Sequence, residues 1–242
     1  MLPMDCPAPR HILFDLDGTL LPMDLDKYVQ IYFKGLSKRL PHIAPEKVYR
    51  MLWDGIGAMM QNDGRQTNRE VFARVFTACT GVDFDASEDA FLKFYRTDYD
   101  DCIAACQPVA LAGEIVKTLR EKGYTLTLAT SPLYPRVATQ ARMRWAGLDA
   151  NDFSFVTTFD DFHAAKPNVR YFEEVCEKLC VSPKECLLIG NDVLEDGAAR
   201  ETGMRVMLVT DCLINKKNLP LDGFALFTLQ GVYDWAQQLP AI

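Results

Sequence analysis

The sequence predicts an α/β fold: a three-layer core around a parallel sheet, interrupted by an inserted all-helical block. Three patterns carry this expectation. Residues 11–14 form a short apolar run that stops at a turn, residues 24–105 show only helical periodicity, and from residue 108 strand-like runs alternate with amphipathic helices. Strands separated by helices pair in parallel through right-handed crossovers, because each helix covers a face of the sheet before the chain re-enters it.

The elements follow in order. Ile12-Leu13-Phe14 reads as a buried strand that breaks at Asp15, Asp17 and Gly18. Amphipathic helices are expected at 24–40, 45–61, 67–79 and 87–105, separated by Pro41, the turn Asn62-Asp63-Gly64, and Gly81. After Pro108 come helix 110–122, strand 124–130, helix 135–146, strand 153–157, helix 167–180, strand 186–190, helix 193–202 and strand 205–210. A strand near 224–228 and a helix at 232–239 close the chain on weaker signals. No repeat or low-complexity segment is present.

Composition narrows the functional classes. With 242 residues, 49% hydrophobic and 24% charged, the chain can bury a substantial interior and is neither fibrous nor disordered in character. A net charge of −7 and the absence of any basic run argue against a nucleic-acid partner, whose phosphates need Lys and Arg. A small phosphorylated substrate remains compatible, since one local cation cluster can overrule the global sign. The eight cysteines (Cys6, Cys79, Cys102, Cys106, Cys176, Cys180, Cys186 and Cys212) form no CxxC pair. Cys102/Cys106 and Cys176/Cys180 lie four apart on expected helices and read as small buried hydrophobes, hence free thiols in a reducing compartment. The start, MLPMDCPAPR, carries prolines and an acid where a signal peptide would be apolar, and no run approaches the ~18 apolar residues of a membrane helix. The expectation is a cytoplasmic protein without a membrane partner; oligomeric state is left open.

In an open α/β sheet the ligand site lies outside the carboxyl ends of the strands. Those ends deliver Asp15 and Asp17, then Thr130 and Ser131, then Asn191 and Asp192, with Lys166 in a loop just before a helix. These are groups for phosphate and metal chemistry. Unaided phosphate-monoester hydrolysis is so slow that a catalyst must remove about 20 kcal/mol of barrier. The central difficulty is an anionic nucleophile approaching an anionic phosphate. A divalent cation and a lysine relieve it, while a second acid protonates the leaving oxygen. Asp15 and Asp17, about 6–7 Å apart along an extended chain, can face one side and divide those roles through unequal pKa values.

The hexapeptide DLDGTL at 15–20 resembles the first motif of the haloacid dehalogenase superfamily. The other motifs appear in the family's order: Thr130 in TLATS, Lys166 in AAKPN, and the acidic cluster Gly190-Asn191-Asp192 with Asp196 following. The resemblance covers residues 10–20 and 107–210. It implies a Rossmann-like core from 1–20 and 107–242, and a helical cap of the C1 type at 21–106, where family members carry a lid that excludes water.

It further implies a Mg2+-dependent phosphatase acting through an aspartyl-phosphate. Asp15 would be the nucleophile, Asp17 the acid and base, Thr130, Ser131 and Lys166 the phosphate ligands, and Asp15, Asp17, Asn191 and Asp192 the metal set. The family usually has Asp directly after the glycine, where this chain has Asn191, so the direct ligand is either the Asn191 amide oxygen or the Asp192 carboxylate. Asp196 would support Lys166 or a water on the metal. Asp17 argues against the family's metal-free dehalogenases, which lack it. A phosphomutase of the same superfamily, or a non-catalytic phosphate-binding protein, is the alternative. Arg65, Asn68 and Arg136 are candidates for reading the substrate; Trp53, Met59 and Met60 read as core packing, and Pro167 as the first residue of a helix.

Overall fold

The computed structural model describes residues 9–242. Cys6 and most of the N-terminal segment considered above lie outside the described residues. Five strands, β1 (His11–Phe14), β2 (Thr125–Leu128), β3 (Cys186–Gly190), β4 (Arg205–Val209) and β5 (Ala225–Phe227), form one parallel sheet in the order β2-β1-β3-β4-β5. The register aligns Phe14 with Leu128 and with Ile189, so the chain leaves β1, β2 and β3 along one edge. The three central strands read as apolar runs because helices cover both faces. Successive side chains alternate: Ile12 and Phe14 enter one cluster, Leu13 the other with Leu188, Tyr171 and Phe172.

Between β1 and the next core helix lie α1 (Leu25–Arg39), α2 (Pro45–Met60), α3 (Asn68–Thr80) and α4 (Phe84–Arg96). Their ends follow local chemistry. Asp24 caps α1 on the Lys27 amide, and Thr67 with Glu70 forms a capping box on α3, which stops at Gly81 in the left-handed region. Helices α5 (Ala110–Glu121), α6 (Arg136–Trp145), α7 (Val169–Leu179) and α8 (Leu229–Gln238) flank the sheet. The apolar interior runs without a break from Ile12 and Phe14 into Tyr28, Phe94 and Tyr99 of the helical block. The buried Asn68 amide ties α3 to the core by donating to the carbonyls of Pro132 and Ala164.

Several expectations differ from the structure, and the last helix begins at Leu229 rather than at 232. The helix at 87–105 begins earlier, at Phe84, and ends at Thr97, whose hydroxyl returns to the Lys93 carbonyl while Arg39 holds Asp98; Asp98–Ala105 continues as a 3-10 turn. The strand at 153–157 reduces to one parallel bridge, Val156 to Leu128, with Ser154 and Thr157 amides donating to β2 carbonyls. The helix at 193–202 is a 3-10 turn over Gly197–Thr202, preceded by a loop whose amides the Asp192 and Asp196 carboxylates accept. Pro167 lies before the α7 cap Asn168 rather than in the helix. The described cysteines are free, as expected; Cys102, Cys176 and Cys186 are buried, but Cys180 is exposed because it ends α7 in a left-handed conformation. Among the described residues no helix is long and apolar enough to cross a membrane.

Candidate active site

The ends of β1, β2 and β3 open into a cavity of about 610 Å3 that Asp15, Asp17, Thr130, Ser131, Asn191, Asp192 and Asp196 all line. Lys166 lies behind it, 1% exposed. Its ammonium donates to Asp15 Oδ1 at 2.9 Å and to Asp196 Oδ1 at 2.6 Å. The other Asp196 oxygen accepts the Asn191 and Asp192 amides, both at 2.9 Å. Asp196 thus fixes the lysine and the loop after β3 together. Two glycines make room for this. Gly18 sits at φ +84, where a Cβ would also lie 2.3 Å from the side-chain nitrogen of Asn191. A Cβ on Gly190 would fall 2.2 Å from the Asp196 carboxylate.

Electrostatics follow from burial. Burial pushes Asp15 up to about 7 against the pull of Lys166, with Asp196 and Asp17 adding repulsion. Burial alone would lower the Lys166 pKa, but Asp15 and Asp196 outweigh it and keep the ammonium charged. Burial also raises Asp192, and raises Glu195 to about 8 with help from Asp192. The pocket holds more carboxylate than its one buried lysine neutralises.

Asp17 faces a partner that no motif signals. The guanidinium of Arg142, on α6 and 1% exposed, is ion-paired with Asp17 Oδ2 and lies 4.3 Å from the centre of the Tyr134 ring. Burial raises Asp17 while Arg142 and Lys166 oppose the rise. A trace of this was present in the sequence: Ala138, Ala141, Arg142 and Trp145 share the apolar face of α6, and an arginine at a core position needs a buried acid. Thr19 was also missed; its hydroxyl donates to Asn191 Oδ1 at 3.0 Å.

The remaining candidates divide. Asn68 is consumed in structural bonds, and Arg65 is exposed beside Asp63, away from the cavity. Arg136 pairs with Asp161 and lines a second, neighbouring cavity. Trp53 was expected in the core but is 45% exposed and lines both cavities, because its position on α2 faces the gap between the helical block and the strand ends. Met59 is buried and reaches the second cavity.

The oxygen-rich donor set fits a hard divalent cation. Among the described residues no three acidic, imidazole or thiol groups converge closely enough to enclose one. Magnesium characteristically uses one or two carboxylates and keeps waters, so a full protein cage is not required. Asp17 Oδ1 is a buried oxygen without a hydrogen-bond partner, as is Ser131 Oγ, and both await a positive or donating group.

The family model described as haloacid dehalogenase-like hydrolase matches residues 12–209. The chain is 26% identical over 209 residues to the pyrophosphatase PpaX of Anoxybacillus flavithermus, covering 86% of each chain. It is 26% identical over 206 residues to a phosphoglycolate phosphatase of Shigella dysenteriae, covering 80% of this chain and 78% of that one. A HAD phosphatase from Thermococcus onnurineus has the same fold, with a TM-score of 0.58 at 19% identity over 96% of this chain and 100% of that one.

Proposed function

Because the chain belongs to the haloacid dehalogenase-like hydrolase family, and is a phosphohydrolase, we propose that it hydrolyses a small organic phosphate monoester through an aspartyl-phosphate on Asp15, with magnesium as cofactor. The observation that carries this reading is the buried Lys166 ammonium bridging Asp15 and Asp196 at the mouth of the parallel sheet. The relatives named as pyrophosphatase and phosphoglycolate phosphatase support small phosphorylated substrates. Residues 21–106 are read as the cap over this site, and residues 1–20 and 107–242 as the core.

In the first step an Asp15 carboxylate oxygen bonds to phosphorus. The bond from phosphorus to the leaving oxygen breaks, and that oxygen keeps the electron pair and takes a proton from Asp17. Thr130, Ser131 and Lys166 hold the phosphoryl oxygens. In the second step water attacks phosphorus, gives its proton to Asp17, and returns Asp15 as a carboxylate with release of inorganic phosphate. Asp15, Asp17 and Asp192 are the residues that would hold magnesium. The Asn191 side chain is engaged by Thr19 and by the Cys212 carbonyl, whereas Asp192 has one oxygen outside its bonds to the Leu194 and Glu195 amides. Bound there, the cation supplies the positive charge that lets the ionised nucleophile meet phosphate.

Two results are expected. Phosphate release from p-nitrophenyl phosphate requires added magnesium and stops in excess chelator; full rates after verified metal removal would refute the metal-assisted reading. Asp17→Asn protein, given the same good leaving group, forms the phosphorylated enzyme but hydrolyses it slowly. Quenched samples should then show a phosphate adduct by intact-protein mass spectrometry, and its absence during continued turnover would remove Asp17 from the second step.

A further inference from the structure

Beside the catalytic pocket lies a second cavity of about 330 Å3, within the size range of small-molecule sites. Its walls come from α1, α2, α3, α4, the segment after β2 and the start of α6. Tyr28, Val29, Trp53, Ile56, Leu133 and Tyr134 line both cavities, so the two abut through one shared wall. Beyond that wall the chamber is aromatic and aliphatic, with Tyr32, Phe72, Phe84 and Phe91 in its depth. We propose that this chamber receives the leaving group of the substrate, and that the substrate is therefore a phosphate monoester of a bulky, largely apolar alcohol bearing a ring. This rests on the phosphatase reading above.

The charged groups of the chamber are already committed. Glu88 is paired with Arg69, Arg136 with Asp161, and Asp160 accepts the Arg136 amide. The hydroxyls of Tyr28 and Tyr32 are bonded to those of Tyr99 and Tyr95, at 2.5 and 2.6 Å. Apart from the Tyr49 hydroxyl and the Gln140 amide, the rest of the lining is largely aromatic ring and aliphatic surface. A second anionic group on the substrate would meet no uncommitted cation there. Lys216 and Lys217 line only the catalytic pocket, next to the phosphate site. Trp53 and Tyr49, at 45% and 50% exposed and stacked edge to face, place further aromatic surface on the cavity wall.

The chemistry is that of the parent reaction, with phosphorus–oxygen cleavage and proton transfer to the departing alcohol; the chamber adds only binding of the alcohol. Selectivity must therefore scale with buried apolar area, about fourfold in kcat/KM per methylene accommodated. The test uses the full chain with magnesium and a series of primary alkyl phosphates of similar leaving-group basicity: ethyl, butyl, hexyl and 2-phenylethyl phosphate, with glycerol phosphate as the small polar member.

The expected result is a rise along the series, with 2-phenylethyl phosphate at least about thirtyfold above ethyl phosphate. Filling the chamber by Leu52→Trp should collapse that ratio toward one, while Leu52→Met retains it. A ratio near or below one in the parent, with ethyl or glycerol phosphate turned over, overturns the apolar-substrate inference and leaves the phosphatase reading intact. Failure to hydrolyse every ester, p-nitrophenyl phosphate included, overturns the phosphatase reading and this inference with it.

Discussion

Asp15→Asn protein is expected to lose turnover by about 10^4-fold or more, and yet to unfold at a higher temperature than the parent above pH 7. The first effect follows from the proposed reaction, in which the substitution removes the attacking oxygen anion and no acyl phosphate can form whatever the leaving group. The second follows from what it costs to keep that anion in place. Burial, opposed by Lys166, moves the Asp15 pKa from 3.8 to about 7. Below pH 3.8 the carboxyl is protonated in folded and unfolded chains alike, and the stability is fully present. As pH rises through 7 the folded chain must surrender a proton that the unfolded chain gave up earlier, and stability is lost. Asparagine does not titrate, and its oxygen still accepts from Lys166, which also keeps Asp196. The melting-temperature difference between variant and parent should therefore grow from about pH 4 to pH 8 in chelator. Equal melting temperatures at pH 8 would refute the electrostatic account; a phosphate adduct on the asparagine variant would refute the nucleophile.

How much of this could be read from the sequence depended on the range of the interaction. The strand ends and their polar residues were legible because apolar runs and turn residues act locally, and the parallel sheet then brings Asp15, Thr130 and Asn191 to one edge. The departures arose where a side chain competes with backbone pairing. Thr97 ends α4 by bonding to the Lys93 carbonyl, and Asp196 reaches back to the Asn191 and Asp192 amides, holding the loop after β3 where a longer helix was expected. Arg142 and the shared aromatic wall were illegible for a different reason. They depend on contacts between segments more than a hundred residues apart, such as Arg142 with Asp17. No periodicity reports on that separation. Trp53 shows the same limit: helical spacing identified its apolar face but not that the face borders a cavity.

Lys166→Met should have the opposite sign from Asp15→Asn in stability and the same sign in activity. Methionine has similar length and no charge, so the substitution leaves Asp15 and Asp196 buried near each other without the ammonium that now lies 2.9 and 2.6 Å from them. Breaking a buried pair from one side costs about 3–5 kcal/mol, because the remaining charge is uncompensated. The loss should be largest at pH 8 and shrink toward pH 4, since the stranded carboxylates can then fold protonated. Turnover should fall at every pH, as Lys166 also faces the incoming phosphoryl group in the proposed reaction. The double variant Lys166→Met with Asp196→Asn separates the two roles. It removes one stranded charge while the asparagine oxygen still accepts the Asn191 and Asp192 amides, so thermal stability at pH 8 should partly return. Activity should not return with it. Recovery of turnover alongside stability would mean that Lys166 serves only to neutralise Asp196; a single variant as stable as the parent at pH 8 would mean that these carboxylates are not held at the low polarity their burial implies.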